Sequence, residues 1–186
     1  GTASILPQAI MGTPSNGIMR SLWASGTAYL DSSGLSAQDD LAVISNGTNT
    51  FGYRADDYGN TTALATVLSS SAGVYAATGV IHQAADVDYF QVTLSGSATI
   101  SVDVDNYVGN LDAKLSLYDS AGVLVGSPVD PANFDASMTV NLPLGVYYIA
   151  VASHGDYGKL GQYSLKVLHS TPLNTNPTLN AAGNPA

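Results

Sequence analysis

From residue 56 onward the chain repeats one pattern. Short stretches alternate apolar with polar residues, and Gly, Pro, Asn or Asp separate them. Phe90, Val92 and Leu94 share one face of such a stretch; Ile100, Val102 and Val104 share one face of the next. A two-residue period is the signature of a half-buried strand, because successive side chains point to opposite sides of the pleat. Val74–Ile81, Tyr89–Leu94, Thr99–Val104, Ala113–Tyr118, Ser137–Leu142, Val146–Ala152 and Gln162–Leu168 are predicted strands. Ser120-Ala121-Gly122 and Pro143-Leu144-Gly145 read as hairpin connections between them. Seven or eight short strands with such turns predict a mainly β fold, a jelly-roll-like antiparallel β-sandwich.

The first 55 residues read differently. Ile18, Met19, Leu22 and Trp23 fall near helical period and predict a helix over 17–25. A second helix is predicted from Ser36 to Ser45, with Ser36 as its cap, Asp39 three residues on as a short-armed capping box, and Asn46-Gly47 as its stop. Phe51-Gly52-Tyr53-Arg54 reads as a short extended segment. The end is rich in Asn, Pro and Ala and reads as a linker or docking tail. The expected organisation is therefore a helical, turn-rich segment over 1–55, a sandwich over 56–169 and a tail over 170–186.

Charge narrows the partners. The net charge is −9, and all fourteen acidic residues are Asp. Nucleic acid and anionic membrane surfaces select the opposite sign. No apolar run reaches the roughly 18 residues that span a bilayer, so no membrane insertion is expected. Without Glu there is no Glu base, and without Cys there is no disulfide, thiolate nucleophile or Cys-based zinc site. Only 10% of residues are charged, so Ser, Thr, Asn and Gly must carry solubility, a pattern common in extracellular β-proteins.

The acidic residues gather at two places: Asp56, Asp57 and Asn60 in one loop, and Asp86 and Asp88 where a strand starts. Calcium takes six to eight oxygens from carboxylates, amides and backbone, and these five side chains could supply one cage. The alternative is that each is a turn former or strand-end cap, since Asp favours both. Asp103, Asp105, Asn106 and Asp112 lack EF-hand order and read as a polar hairpin. His82, His154 and His169 are scattered, with no H-x-x-x-H spacing, so zinc is not expected. No G-x-S-x-G elbow or phosphate-binding Gly loop occurs, and no catalytic residue is assigned. Eleven Tyr, among them Tyr89, Tyr107, Tyr118, Tyr147, Tyr148, Tyr157 and Tyr163, offer material for an aromatic binding surface or for ordinary packing.

Several stretches resemble the bacterial pre-peptidase C-terminal (PPC) domain. They are Ala55-Asp56-Asp57-Tyr58-Gly59-Asn60-Thr61, Gly79-Val80-Ile81 leading into Asp86-Val87-Asp88-Tyr89-Phe90, and Asn110-Leu111-Asp112 before Leu115-Ser116-Leu117-Tyr118-Asp119. Leu144-Gly145-Val146-Tyr147-Tyr148-Ile149 and Tyr157-Gly158-Lys159-Leu160-Gly161-Gln162-Tyr163-Ser164-Leu165 complete the set. The resemblance implies a β-sandwich that follows the catalytic domain of a secreted protease and binds an extracellular protein or polymer matrix. It also implies Ca2+ at Asp56, Asp57, Asn60, Asp86 and Asp88. Upstream, Ala9-Ile10-Met11-Gly12 is similar to the Met-turn of metzincin-type metalloproteases, though the zinc-binding H-E-x-x-H helix is missing. The expectation is a secreted, extracellular, non-enzymatic module of a metalloprotease. The competing expectation is a structural subunit of an extracellular filament or surface assembly, binding copies of itself through the N-terminal segment and tail.

Overall fold

The computed structural model describes residues 8–9, 21–22, 25–31, 34–48, 52–104, 110–131 and 134–169. Four short strands come first: β1 (Gln8–Ala9), β2 (Ser21–Leu22), β3 (Ser25–Asp31) and β4 (Gly34–Asp39). β1 pairs in parallel with β2, and β3 forms an antiparallel hairpin with β4. Helix α1 (Asp40–Ser45) follows, then a single 3-10 turn at Thr62–Leu64. The remaining strands are β5 (Thr66–Val67), β6 (Val74–Ile81), β7 (Val87–Asp103), β8 (Ala113–Asp119), β9 (Ala136–Ser153) and β10 (Gly161–His169).

β7 and β9 are the frame of the fold. They run antiparallel for 17 and 18 residues and correspond to four of the predicted strands, fused in pairs. Val87–Leu94 pairs with Gly145–Ala152, and Gly96–Val102 pairs with Ala136–Leu142. Between these ladders β7 advances from Leu94 to Gly96 while β9 advances from Leu142 to Gly145. β9 thus carries one extra residue, a bulge that bends the pair. Gly96 takes the bend on β7 with φ 72°, a conformation costly for residues with a Cβ.

The bulge also switches which side chains of β9 face inward. Ala136 is buried before it; Tyr147, Ile149 and Val151 are buried after it. Pro143-Leu144-Gly145 is therefore not the predicted hairpin connection but this bulge, where Pro costs no ladder bond because the pairing is already interrupted. Ser120-Ala121-Gly122 does form a turn: Asp119 Oδ1 accepts from the amides of Ala121 and Val123, both at 2.9 Å.

Each half of the bent pair is widened by its own neighbours. β8 adds to the late half of β9, and β5 adds in parallel to the early half of β7. β10 adds to the late half of β7, and β6 to β10. The two layers close on one core that includes Phe90, Val92 and Leu94 from one half of β7 and Ile100 and Val102 from the other. Tyr75 on β6 reaches across it, its hydroxyl donating to the Thr93 carbonyl at 2.5 Å. The fold is mainly β, an antiparallel sandwich with a short helix, as the alternation predicts.

The N-terminal predictions fare less well. α1 starts at Asp40, and Ser36 lies in β4. The cap is Asp39 itself, whose Oδ1 accepts from Ala42 N at 2.8 Å. A carboxylate at the position just before the helix, three residues ahead of the Ala42 N–H, suits that role, whereas Ser36 lies too far back. Asn46 is the C-cap, as predicted. Ser21–Leu22 and the start of β3 at Ser25 are strand where a helix over 17–25 was predicted. There strand pairing overrides the local apolar spacing. Residues 10–20, Phe51 and the tail 170–186 lie outside the described residues.

Candidate metal site

The parity of β7 places a carboxylate where a hydrophobe belongs. Asp88 stands on the same face as Phe90, Val92 and Leu94 and is 0% exposed. Two residues earlier, Asp86 closes the loop between β6 and β7 and is 3% exposed. Its amide donates to Gln83 O at 3.1 Å, and its Oδ2 accepts from His82 N at 2.9 Å and faces His82 Nδ1 at 2.6 Å.

The segment 56–60 lies across the ends of β6 and β7 and adds two more carboxylates. Asp57 Oδ2 accepts from Val80 N at 3.1 Å, and Gly59 O accepts from Tyr89 N at 3.2 Å. Asn60 Oδ1 accepts from Val87 N at 2.6 Å, while its Nδ2 donates to Asp56 Oδ2 at 2.7 Å. Tyr58 anchors the middle: its ring packs on Phe90 with centroids 4.6 Å apart, and its hydroxyl donates to Thr78 O at 2.9 Å. From β10, Tyr163 donates its hydroxyl to Asp88 Oδ2 at 2.5 Å. Gly79 makes room for that phenol, since a Cβ there would overlap the ring.

All five residues singled out in the sequence thus meet at one rim of the sandwich. They form two overlapping groups. In one, a carboxylate oxygen each from Asp56, Asp57 and Asp88 lie within 4.8 Å of one another; in the other, Asp56 and Asp86 meet His82 within the same span. Asn60 serves both as a clamp, its amide orientation fixed by the Val87 N–H.

Electrostatically the rim is under tension. Asp88 Oδ1 and Asp86 Oδ1 are buried and have no hydrogen-bond donor. An unsatisfied buried carboxylate oxygen is costly, and more so beside like charge. Burial first, and then Asp86, Asp57 and Asp56, push the Asp88 carboxyl up to about 7 against the pull of Tyr163. Burial and the bond to Asp88 push the Tyr163 hydroxyl up, so it remains a donor. Among the described residues no Lys or Arg is ion-paired to Asp56, Asp57 or Asp88. Carboxylate oxygens with no donor are what a hard dication such as calcium ligates, so these residues fit it.

Two participants escaped the sequence reading. His82 carries no spacing signal, being brought to the rim by the turn that ends β6. Tyr163 lies 75 residues from Asp88, and only the strand order joins them. Asp88 itself gave a sharper signal than its position at a strand start: it continues the Phe90-Val92-Leu94 stripe.

Elsewhere, Asp112 is not part of a solvated hairpin. It is 6% exposed and bound to Lys159 Nζ at 2.5 Å, with Asp156 3.1 Å from the same nitrogen. Residues 105–109 lie outside the described residues. Of the tyrosines, Tyr147 and Tyr163 are buried in the core, Tyr157 is exposed, and Tyr89 and Tyr118 place their ring centroids 6.1 Å apart on the outward face of β7 and β8.

The fold and this rim define a β-sandwich module with an acidic edge. The family model of the bacterial pre-peptidase C-terminal domain matches residues 86–153. No curated protein sequence matches the chain. Among solved structures, the pre-peptidase C-terminal domain of collagenase from Bacillus anthracis aligns at 17% identity and a TM-score of 0.42, covering 61% of this chain and 97% of that domain. Aeromonas hydrophila PliG, a periplasmic inhibitor of g-type lysozyme, aligns at 13% identity and a TM-score of 0.42, covering 57% and 96%. Among the described residues no helix is long and apolar enough to cross a membrane.

Proposed function

We propose that this chain acts as a non-catalytic, calcium-binding module of a secreted bacterial metalloprotease, stabilising the protein and holding it to an extracellular protein or polymer matrix. The observation that carries the calcium reading is Asp88: a carboxylate at a core position, one oxygen without a donor, three other carboxylates close by and, among the described residues, no Lys or Arg paired with it. Calcium bound by Asp56, Asp57 and Asp88 would supply the missing positive charge and lock the segment 56–60 onto the edge of the sandwich. Asn60 and Tyr163 would hold the ligands in place. The PPC match over 86–153 supports the protease-module reading. The low share of charged residues, with Ser, Thr, Asn and Gly left to carry solubility, supports secretion.

The test is thermal melting of the intact chain in millimolar Ca2+ and in chelator, followed by sedimentation with insoluble collagen, chitin and cellulose. A melting temperature that rises with Ca2+, and retention on one polymer, support the reading. An identical melt in chelator removes the calcium claim, and no retention on any polymer removes the matrix claim.

A further inference from the structure

The rim holds a nitrogen donor that calcium does not need. Asp56, His82 and Asp86 bring one donor atom each to within 4.8 Å of one another. Asp56, Asn60, His82, Gln83, Ala85 and Asp86 line a cavity of about 210 Å³. A cluster of this kind gains weight from Asp86, whose side chain is 0% exposed and whose Oδ1 has no donor. His82 satisfies only the other oxygen.

We propose that Asp56, His82 and Asp86 form a second cation site, selective for a first-row transition dication of the zinc class. Imidazole is a poor ligand for a hard, oxygen-seeking ion and a good one for zinc, cobalt or nickel. Two carboxylates and one imidazole are a three-ligand set that leaves a position for water. Tetrahedral zinc holds its ligand atoms roughly 3.4 Å from one another, a spacing inside the 4.8 Å span of these three donors. Asp57 and Asp88 stand outside this group and serve only the all-oxygen one. The site depends on the calcium reading in nothing but its shared Asp56.

The experiment is calorimetric titration of the metal-free full chain with Zn2+ in the absence of Ca2+, alongside Co2+ absorption and ring-nitrogen NMR of the three histidines. Expected are Zn2+ binding, shifts confined to the His82 nitrogens, and at least about tenfold weaker binding in His82→Gln and Asp86→Asn. His169→Gln, whose ring bonds Ser95 at the bulge of β7 and not the rim, should leave Zn2+ binding within about twofold. Zn2+ affinity that survives His82→Gln, or shifts at His154 or His169 in place of His82, overturns the site. Should the variants fail to fold, the NMR shifts of the unaltered chain decide alone. The calcium reading is judged separately, by the Ca2+ melt.

Discussion

Two acidic groups sit in this sandwich, and they are neutralised in opposite ways. At one, Lys159 reaches both Asp112 and Asp156, and nearby His154 Nδ1 faces both oxygens of Asp130 at 2.7 Å. Asp130, in turn, pushes the His154 imidazole up, by hydrogen bond first and by charge second. At the other, Asp56, Asp57 and Asp88 face each other with no Lys or Arg among the described residues ion-paired to them, and burial drives the Asp88 carboxyl toward protonation. The first group carries its counter-charge in the sequence. The second needs a proton or a metal from outside. The contrast teaches that acidic clustering alone does not identify a metal site; the supply of internal cations does.

The largest effect should come from breaking the self-neutralised group. Lys159→Met leaves Asp112 buried without its cation, at a cost of about 3 kcal/mol. Chemical denaturation should record that loss in calcium and in chelator alike. A loss rescued by calcium would erase the distinction between the two groups.

Next comes the metal itself. At a hundredfold excess over Kd, calcium adds about 2.7 kcal/mol, a melting shift of roughly 10 °C. Asp88→Asn should abolish the shift. At pH 8 the metal-free variant melts above the metal-free parent, because a neutral amide ends the burial of a charge. A metal-free variant that melts below the parent at pH 8 would show that Asp88 carries no such penalty.

The same carboxyl fixes a pH dependence. The unfolded chain ionises Asp88 near its ordinary 3.8, while the folded chain keeps the proton to about 7. Over that window the folded state holds more protons, so stability falls as pH rises and levels off above it. In chelator, melting temperatures between pH 4 and pH 8 should trace that fall; in calcium the fall should be blunted, since the ion takes the proton's place.

Smaller effects sharpen the picture. Tyr163→Phe removes the one donor to the Asp88 side chain among the described residues and should cost about 1–2 kcal/mol in chelator, less with calcium bound. Tyr157→Phe is the mildest. Its hydroxyl donates to Asp39 and accepts from Leu41 N at 2.9 Å, tying the start of α1 to the sandwich. An exposed tie of this kind is worth under about 1 kcal/mol, so the readout is faster amide exchange at Leu41 with an unchanged global melt.

The alternation of apolar residues was enough to place the strands from 74 onward, because period two is written locally in each segment. It did not reveal that Tyr89–Leu94 and Thr99–Val104 are one strand, since a bend at Gly96 looks like a turn until the partner strand is known. Pro143-Leu144-Gly145 misled for the same reason: a bulge and a hairpin use the same residues. Gathering of Asp56, Asp57, Asn60, Asp86 and Asp88 was legible as two short clusters, but His82 and Tyr163 were not, having no spacing to mark them.

The sequence by itself settled the fold class, the acidic excess and the five polar side chains at the rim, because periodicity, charge and turn chemistry are properties of neighbouring residues. Tertiary structure alone decided that Asp88 is buried, that Tyr163 holds one of its oxygens and leaves the other bare, and that Lys159 serves a different group. Those are facts of distance between segments far apart along the chain. Whether a carboxylate meets a cation, a phenol or nothing depends on which strands pair, and pairing is cooperative over the whole sheet.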